Sequence, residues 1–139
     1  MLCRRSRCKV LTPRGFQLQH SLSGSIDWLE FLKRFGGRRD FVAKLVAAAL
    51  TGYHNAPVLL RDQAERGDWA AMVATAHSIK GLAGNLVAES VQALARQTEM
   101  AARAESADAA HLAIDLAQSM EQMLGELQDW LATYQGASP

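Results

Sequence analysis

The sequence predicts an all-α protein: an antiparallel four-helix bundle with a short extra helix at its N-terminal end. Three observations predict it. Of 139 residues, 49% are hydrophobic but only 6% aromatic, and alanine dominates several stretches. That composition suits closely packed helices better than a sheet, which draws on β-branched and aromatic side chains. Apolar residues recur at steps of three and four through most of the chain after residue 24. The breaks between these periodic stretches are short, and short connections join antiparallel neighbours. The length allows one hydrophobic core and not two ordinary domains. The bundle is placed at 24–135, after a basic leader over 1–23 read as linker or disordered, and before a flexible tail over 136–139.

The first helix starts near Ser25, a residue type that caps helix N-termini, and carries Ile26, Leu29, Leu32 and Phe35 at helical spacing. Gly36 and Gly37 end it. The second begins at Arg38 with Phe41, Leu45, Ala48 and Ala49 on one face and runs to Tyr53 or His54. Asn55 and Pro57 mark a restart, because proline is tolerated in a first turn and not in a helix interior. A third stretch with Val58, Leu59 and Leu60 continues to Arg66, where Gly67 closes it and Asp68 caps the next helix. That helix, Trp69 to about Gly84, sets Met72, Ala76, Ile79 and Ala83 on an apolar stripe. A further helix covers about Ala88 to Ala104 with Val91, Leu94 and Thr98 inward. The last, from about Ala107 to Tyr134, presents Leu112, Leu116, Met120, Met123, Leu127, Leu131 and Tyr134.

Charge excludes more than it assigns. The net charge is +1, unevenly spread: residues 1–23 hold five basic residues and no acid, whereas 104–139 hold six acids and no Lys or Arg. The leader lacks the interleaved aromatics of a nucleic-acid segment, and Pro13 and Gly15 interrupt any amphipathic helix there. Neither nucleic acid nor membrane is expected as a partner. No stretch has the apolar length of a membrane span or the core of a secretory signal, so the default location is cytoplasmic. Cys3 and Cys8 have no second pair to complete a zinc site, and the histidines at 20, 54, 77 and 111 lack the Glu-x-x-His partners of a di-metal bundle. No metal is expected. The glycine pairs carry no Lys-Ser/Thr or dinucleotide pattern, so no ATP site is expected either.

The segment Ala76-His77-Ser78-Ile79-Lys80-Gly81 carries the candidate chemistry. His77 lies one position off the apolar stripe, sharing its face with Val73, Ala74, Lys80, Gly81 and Gly84. Near neutral pH an imidazole offers an unprotonated nitrogen as a nucleophile. Lys80 and Gly81, three and four residues on, share the surface around the ring. An ammonium there can offset charge on a transferring phosphoryl group. A glycine inside a helix costs about 1 kcal/mol against alanine, and one return for it is a flat patch that lets a partner approach. Gly81 could instead permit tight packing inside the bundle, and Gly84 could simply mark the helix end.

This segment, read on through Leu82-Ala83-Gly84-Asn85, resembles the signature of the histidine phosphotransfer (HPt) domain, Ala-His-x-Leu-Lys-Gly followed by a small residue. Upstream, Ser25-Ile26-Asp27, Leu32 to Gly37, Phe41 and Leu45 resemble the opening of HPt domains found at the ends of hybrid sensor kinases. Asn55-Ala56-Pro57, Leu60 and Gly67-Asp68-Trp69 resemble the connection into the histidine helix. The resemblance implies a four-helix bundle with His77 as phosphoacceptor, Lys80 stabilising charge, and Val73, Ala74, Gly81 and Gly84 meeting the partner. It implies receiver domains as partners, with Mg²⁺ supplied by the receiver and no cofactor of the chain's own, in a cytoplasmic module that is free or tethered to an inner-membrane sensor kinase. A non-catalytic receiver-binding adaptor and a phosphoacceptor domain of a chemotaxis-type kinase stay open beside it. Two positions depart from the family pattern: Val87 stands where glycine is frequent, and Thr98-Glu99 replaces a Leu-Glu pair. A β-branched residue resists the positive φ that such a glycine supplies.

Overall fold

The computed structural model describes residues 24–137, so the basic leader 1–23 and residues 138–139 lie outside the described residues. Among the described residues six helices follow in order: α1 Trp28–Arg34, α2 Arg39–Tyr53, α3 Ala56–Arg66, α4 Trp69–Asn85, α5 Glu89–Arg103 and α6 Ala109–Ala137. The last enters the stretch expected as tail. No helix among the described residues is long and apolar enough to cross a membrane.

The fold class is as the sequence predicts. Between α2 and α3 the chain barely leaves the helical region, with His54 and Asn55 both near right-handed α values. Pro57, which lacks an N–H and crowds the carbonyl four residues back, makes this a bend in one long member. The bent α2–α3 unit, α4, α5 and α6 are the four members of the bundle, and α1 is the extra helix. The α4–α5 hairpin is the closest-packed pair, and α6 lies against α3, α5 and α2. Met72, Ala76, Ile79 and Ala83 of α4 are fully buried and meet Val91, Ala95 and Ala102 of α5 and Leu116, Met120, Met123 and Leu127 of α6 in a single core.

Two stripes differ from expectation. On α2 the buried residues are Val42, Val46 and Ala49, not Phe41, Leu45 and Ala48. Adjacent apolar stripes compete there, and Phe41 settles at the rim against Phe35 and beneath Arg38, whose guanidinium lies 5.0 Å from the ring centre. On α1 the cap is Asp27, which accepts from the Glu30 N–H at 3.1 Å, not Ser25. Phe31 is buried while Leu29 is 82% exposed. Ser25 serves elsewhere, because its N–H and that of Ile26 donate to the Glu126 carboxylate of α6, at 2.6 and 3.2 Å. With the Asp27 N–H on the Val87 carbonyl at 3.0 Å and Trp28 stacked on Trp130 at 5.2 Å, these bonds strap the N-terminal segment across the end of the bundle.

Four helices close the same way, with one N–H bonding the carbonyl five residues back and the preceding N–H the carbonyl three back. This geometry puts one residue at positive φ. Gly36 and Gly67 fill the position after α1 and α3, at 64° and 63°, but Val87 fills it after α4 at 55° and Glu105 after α5 at 53°. The loop expected to resist left-handed backbone therefore adopts it with valine in place. Val87 is held by burial of its side chain, and the Ala88 N–H closes on the Ala83 carbonyl at 2.8 Å.

The two non-glycine positions should respond oppositely to substitution. Glu105 is exposed, so Glu105→Gly relieves a strain of about 1–2 kcal/mol at the cost of some unfolded-chain entropy and should stabilise the protein by about 1 kcal/mol. Val87→Gly relieves the same strain but gives up a buried side chain of about 1.5–3 kcal/mol, and should destabilise by about 1 kcal/mol. Urea denaturation of both variants against wild type measures the two signs.

Candidate functional site: a histidine on a shared carboxylate

Asp68 starts α4, accepting from the Ala71 N–H at 3.1 Å, and the buried stripe Met72–Ala76–Ile79–Ala83 sets the rotation of the helix. His77 must then lie at the edge of the α4–α5 contact, and its side chain is 63% exposed. After a three-residue turn, Glu89 opens α5 in the opposite direction. The Val91–Ala95–Thr98–Ala102 stripe turns Glu99 toward α4.

Glu99 is the centre of the site. Its side chain is only 6% exposed, and three groups converge on it: His77 Nδ1 at 3.0 Å from Oε2, Lys80 Nζ at 2.8 Å from Oε1, and Arg103 Nη2 at 2.7 Å from Oε2. The Lys80 ammonium first, then the Arg103 guanidinium and the His77 N–H, hold the Glu99 carboxyl down at about 2, against the upward push of burial. An ionised carboxylate only accepts hydrogen bonds, so Nδ1 of His77 carries the hydrogen it shares with Oε2. In the neutral ring Nε2 is then the nitrogen with the free lone pair.

Of the expected partner-facing residues, Ala74 and Gly81 are exposed, and a Cβ placed on Gly81 would meet nothing within 4 Å. Tight packing therefore does not account for this glycine. Val73 and Gly84 are half-buried. Val73 packs against the core, and Gly84 faces α5, where a Cβ would come 2.7 Å from Gln92 Nε2. Lys80, expected to stabilise charge beside the ring, is paired with Glu99 and 29% exposed. Beyond the histidine, the Ser78 hydroxyl pairs with Tyr53 of α2 at 2.7 Å.

Sequence reasoning missed Glu99 and Arg103. Glu99 drew notice only as half of a pair that departs from a family pattern. The available signal was an acid beside the core stripe of α5 with an arginine four residues on, the spacing of a helical ion pair. Among the described residues no three His, Cys, Asp or Glu side chains gather as metal ligands. His54 bonds the Thr51 carbonyl at the end of α2, and His111 lies exposed on α6. His20 and the two cysteines lie outside the described residues.

The family model described as Hpt domain matches residues 40–131, well over half of the chain, and takes in His77, Lys80, Glu99 and Arg103. The segment containing α1 precedes the matched residues. No curated protein and no solved structure matches the chain.

The Glu99 cluster predicts an acid response. Because the carboxyl is held at about 2 in the folded chain, below the range near 4.3 of an unfolded glutamate, its contribution to stability is complete above that range. It is lost as pH falls toward 2. Glu99→Gln should destabilise the protein by about 1–3 kcal/mol at neutral pH, and its difference from wild type should shrink between pH 5 and pH 2. Denaturation series at several pH values measure this.

Proposed function

The chain belongs to the Hpt domain family, whose members carry phosphoryl groups on histidine in phosphorelays, and from that premise we propose that His77 takes a phosphoryl group from the phosphoaspartate of a receiver domain and passes it to a second receiver. The observation that carries the proposal is the unequal environment of the two ring nitrogens. Nδ1 is tied to a buried carboxylate, and the opposite edge of the ring belongs to a side chain 63% exposed.

Nε2 attacks phosphorus in line: the N–P bond forms as the aspartyl O–P bond breaks, and the receiver recovers its carboxylate. The ring keeps its Nδ1 proton and so gains positive charge, which Glu99 faces at hydrogen-bond distance. Glu99 is thus a positioning residue that fixes the tautomer and orients the ring. Departure of the phosphoryl group to the next receiver reverses each step and returns a neutral imidazole. Positioning supplies most of the rate. Lys80 lies on the same helix face and adds positive charge beside the incoming phosphoryl oxygens. Mg²⁺ at those oxygens is assigned to the receiver, and the chain contributes no cofactor. Ala74 and Gly81 leave the ring's surroundings low enough for receiver loops to approach.

Labelled phosphate offered on phosphorylated receivers should appear on wild type as acid-labile phosphohistidine and be absent from His77→Gln, with circular dichroism unchanged. Binding without labelling would favour the adaptor reading and end this one. A graded test uses Gly81. Gly81→Ala should stabilise the helix by about 1 kcal/mol with little loss of transfer. Gly81→Leu should fold equally well, since the space is open, and lower the transfer rate at least tenfold.

A further inference from the structure

Glu99 holds more positive charge than fixing the His77 tautomer requires. Lys80 occupies Oε1, whereas Arg103 and His77 share Oε2, at 2.7 and 3.0 Å. The pairing of Glu99 with Arg103 four residues on, and the place of Arg103 in the last turn of α5, are both favourable on ordinary helix grounds. Those grounds explain why an arginine is tolerated there. They do not explain why it takes the same oxygen as the imidazole. A carboxylate left wholly to His77 would stabilise the doubly protonated ring, and a ring with hydrogens on both nitrogens has no lone pair for phosphorus.

We propose that Arg103 is a positioning residue for the phosphoacceptor: by occupying the Glu99 oxygen that receives the imidazole N–H, it limits the pull of that carboxylate on a second proton and keeps Nε2 free to attack. The inference rests on His77 being the phosphoacceptor. The charged groups that meet the ring or its carboxylate partner are Lys80 on its own helix and Glu99 and Arg103 on α5; from α2, the Tyr53 hydroxyl reaches α4 at Ser78, the next residue. Of these, Arg103 alone shares an oxygen with the imidazole. Its side chain is 61% exposed, so it can be replaced without opening the core.

The test separates charge sharing from structural support. The His77 ring is titrated by NMR in the full chain as wild type, Arg103→Gln, Arg103→Ala, Arg103→Lys and Glu99→Gln. The rate of His77 phosphorylation by phosphoramidate, a small donor that needs no docking, is measured over the same pH range. Loss of the cation that shares Oε2 with the ring N–H should raise the midpoint by about half a pH unit in Arg103→Gln and Arg103→Ala, and the rate profile should move with it. Arg103→Lys should restore most of the shift, and Glu99→Gln should move it the other way. An unmoved midpoint in folded Arg103→Gln and Arg103→Ala overturns the proposal and leaves the phosphoacceptor reading standing. Failure of charged receivers to label wild type on His77 removes both.

Discussion

A carboxylate taken out of water must be met by cations or hydrogen-bond donors, and Glu99 is the group on which this constraint falls. It is met from three directions, two on α4 and one on its own helix. The consequence is a register. The turn at 86–88 sets how α5 runs back along α4, and only one phasing brings position 99 opposite both 77 and 80. Adding or removing one residue in that turn would rotate α5 by about 100° relative to its partner, leaving Glu99 buried without its cations. One interaction that helps hold the hairpin in register is therefore the same one that orients the imidazole. Stability and site geometry cannot drift apart at this point.

A second carboxylate, Glu126 of α6, answers the same constraint with backbone. It accepts the N–H groups of Ser25 and Ile26 and anchors the segment that carries α1. That segment also holds the Val87 carbonyl through the Asp27 N–H, so the strap and the α4–α5 turn support each other. Surface pairs such as Arg61–Glu121, at 2.8 and 3.0 Å between α3 and α6, tie helices together as well. Being open to solvent, they are screened and add little. What positions the site is the buried carboxylate, the apolar stripe of α4 and the closed turn.

The legible parts of the fold were those where one pattern had no competitor. On α4 the stripe Met72–Ala76–Ile79–Ala83 repeats at steps of four, three and four, whereas Val73 and Leu82 form no continuous stripe of their own, and all four stripe residues are buried as the spacing predicts. On α2, two stripes of equal apolarity lie side by side, and sequence periodicity cannot choose between Phe41–Leu45 and Val42–Val46. In the structure Phe41 packs at the rim against Phe35, and Val42 and Val46 fill the core. The turn after α4 was legible as a break but not as a conformation, because the penalty on positive φ for valine is local whereas the burial that outweighs it is tertiary. The candidate residues His77, Lys80 and Gly81 stand out in the sequence because they sit within one turn of one helix. Glu99 comes 22 residues later on another helix, and no rule of local spacing pairs it with His77.

The division of the imidazole explains why the site lies at the edge of a helix pair. A histidine in the stripe itself would be buried at both nitrogens and closed to a partner. One on the far face of α4 would reach solvent with both and have nothing to fix its tautomer. One position off the stripe is the setting at which Nδ1 meets the neighbouring helix while the other edge of the ring stays open. The cost of that placement is an acid buried beside the core, and the cost is tolerable only because Lys80 and Arg103 are within reach of it. Those two cations therefore have a double role: they make the burial of Glu99 possible, and by drawing on its charge they set how firmly it holds the ring. In the proposed transfer the helix pair supplies the orientation of the nucleophile, and the phosphoryl group comes from the receiver.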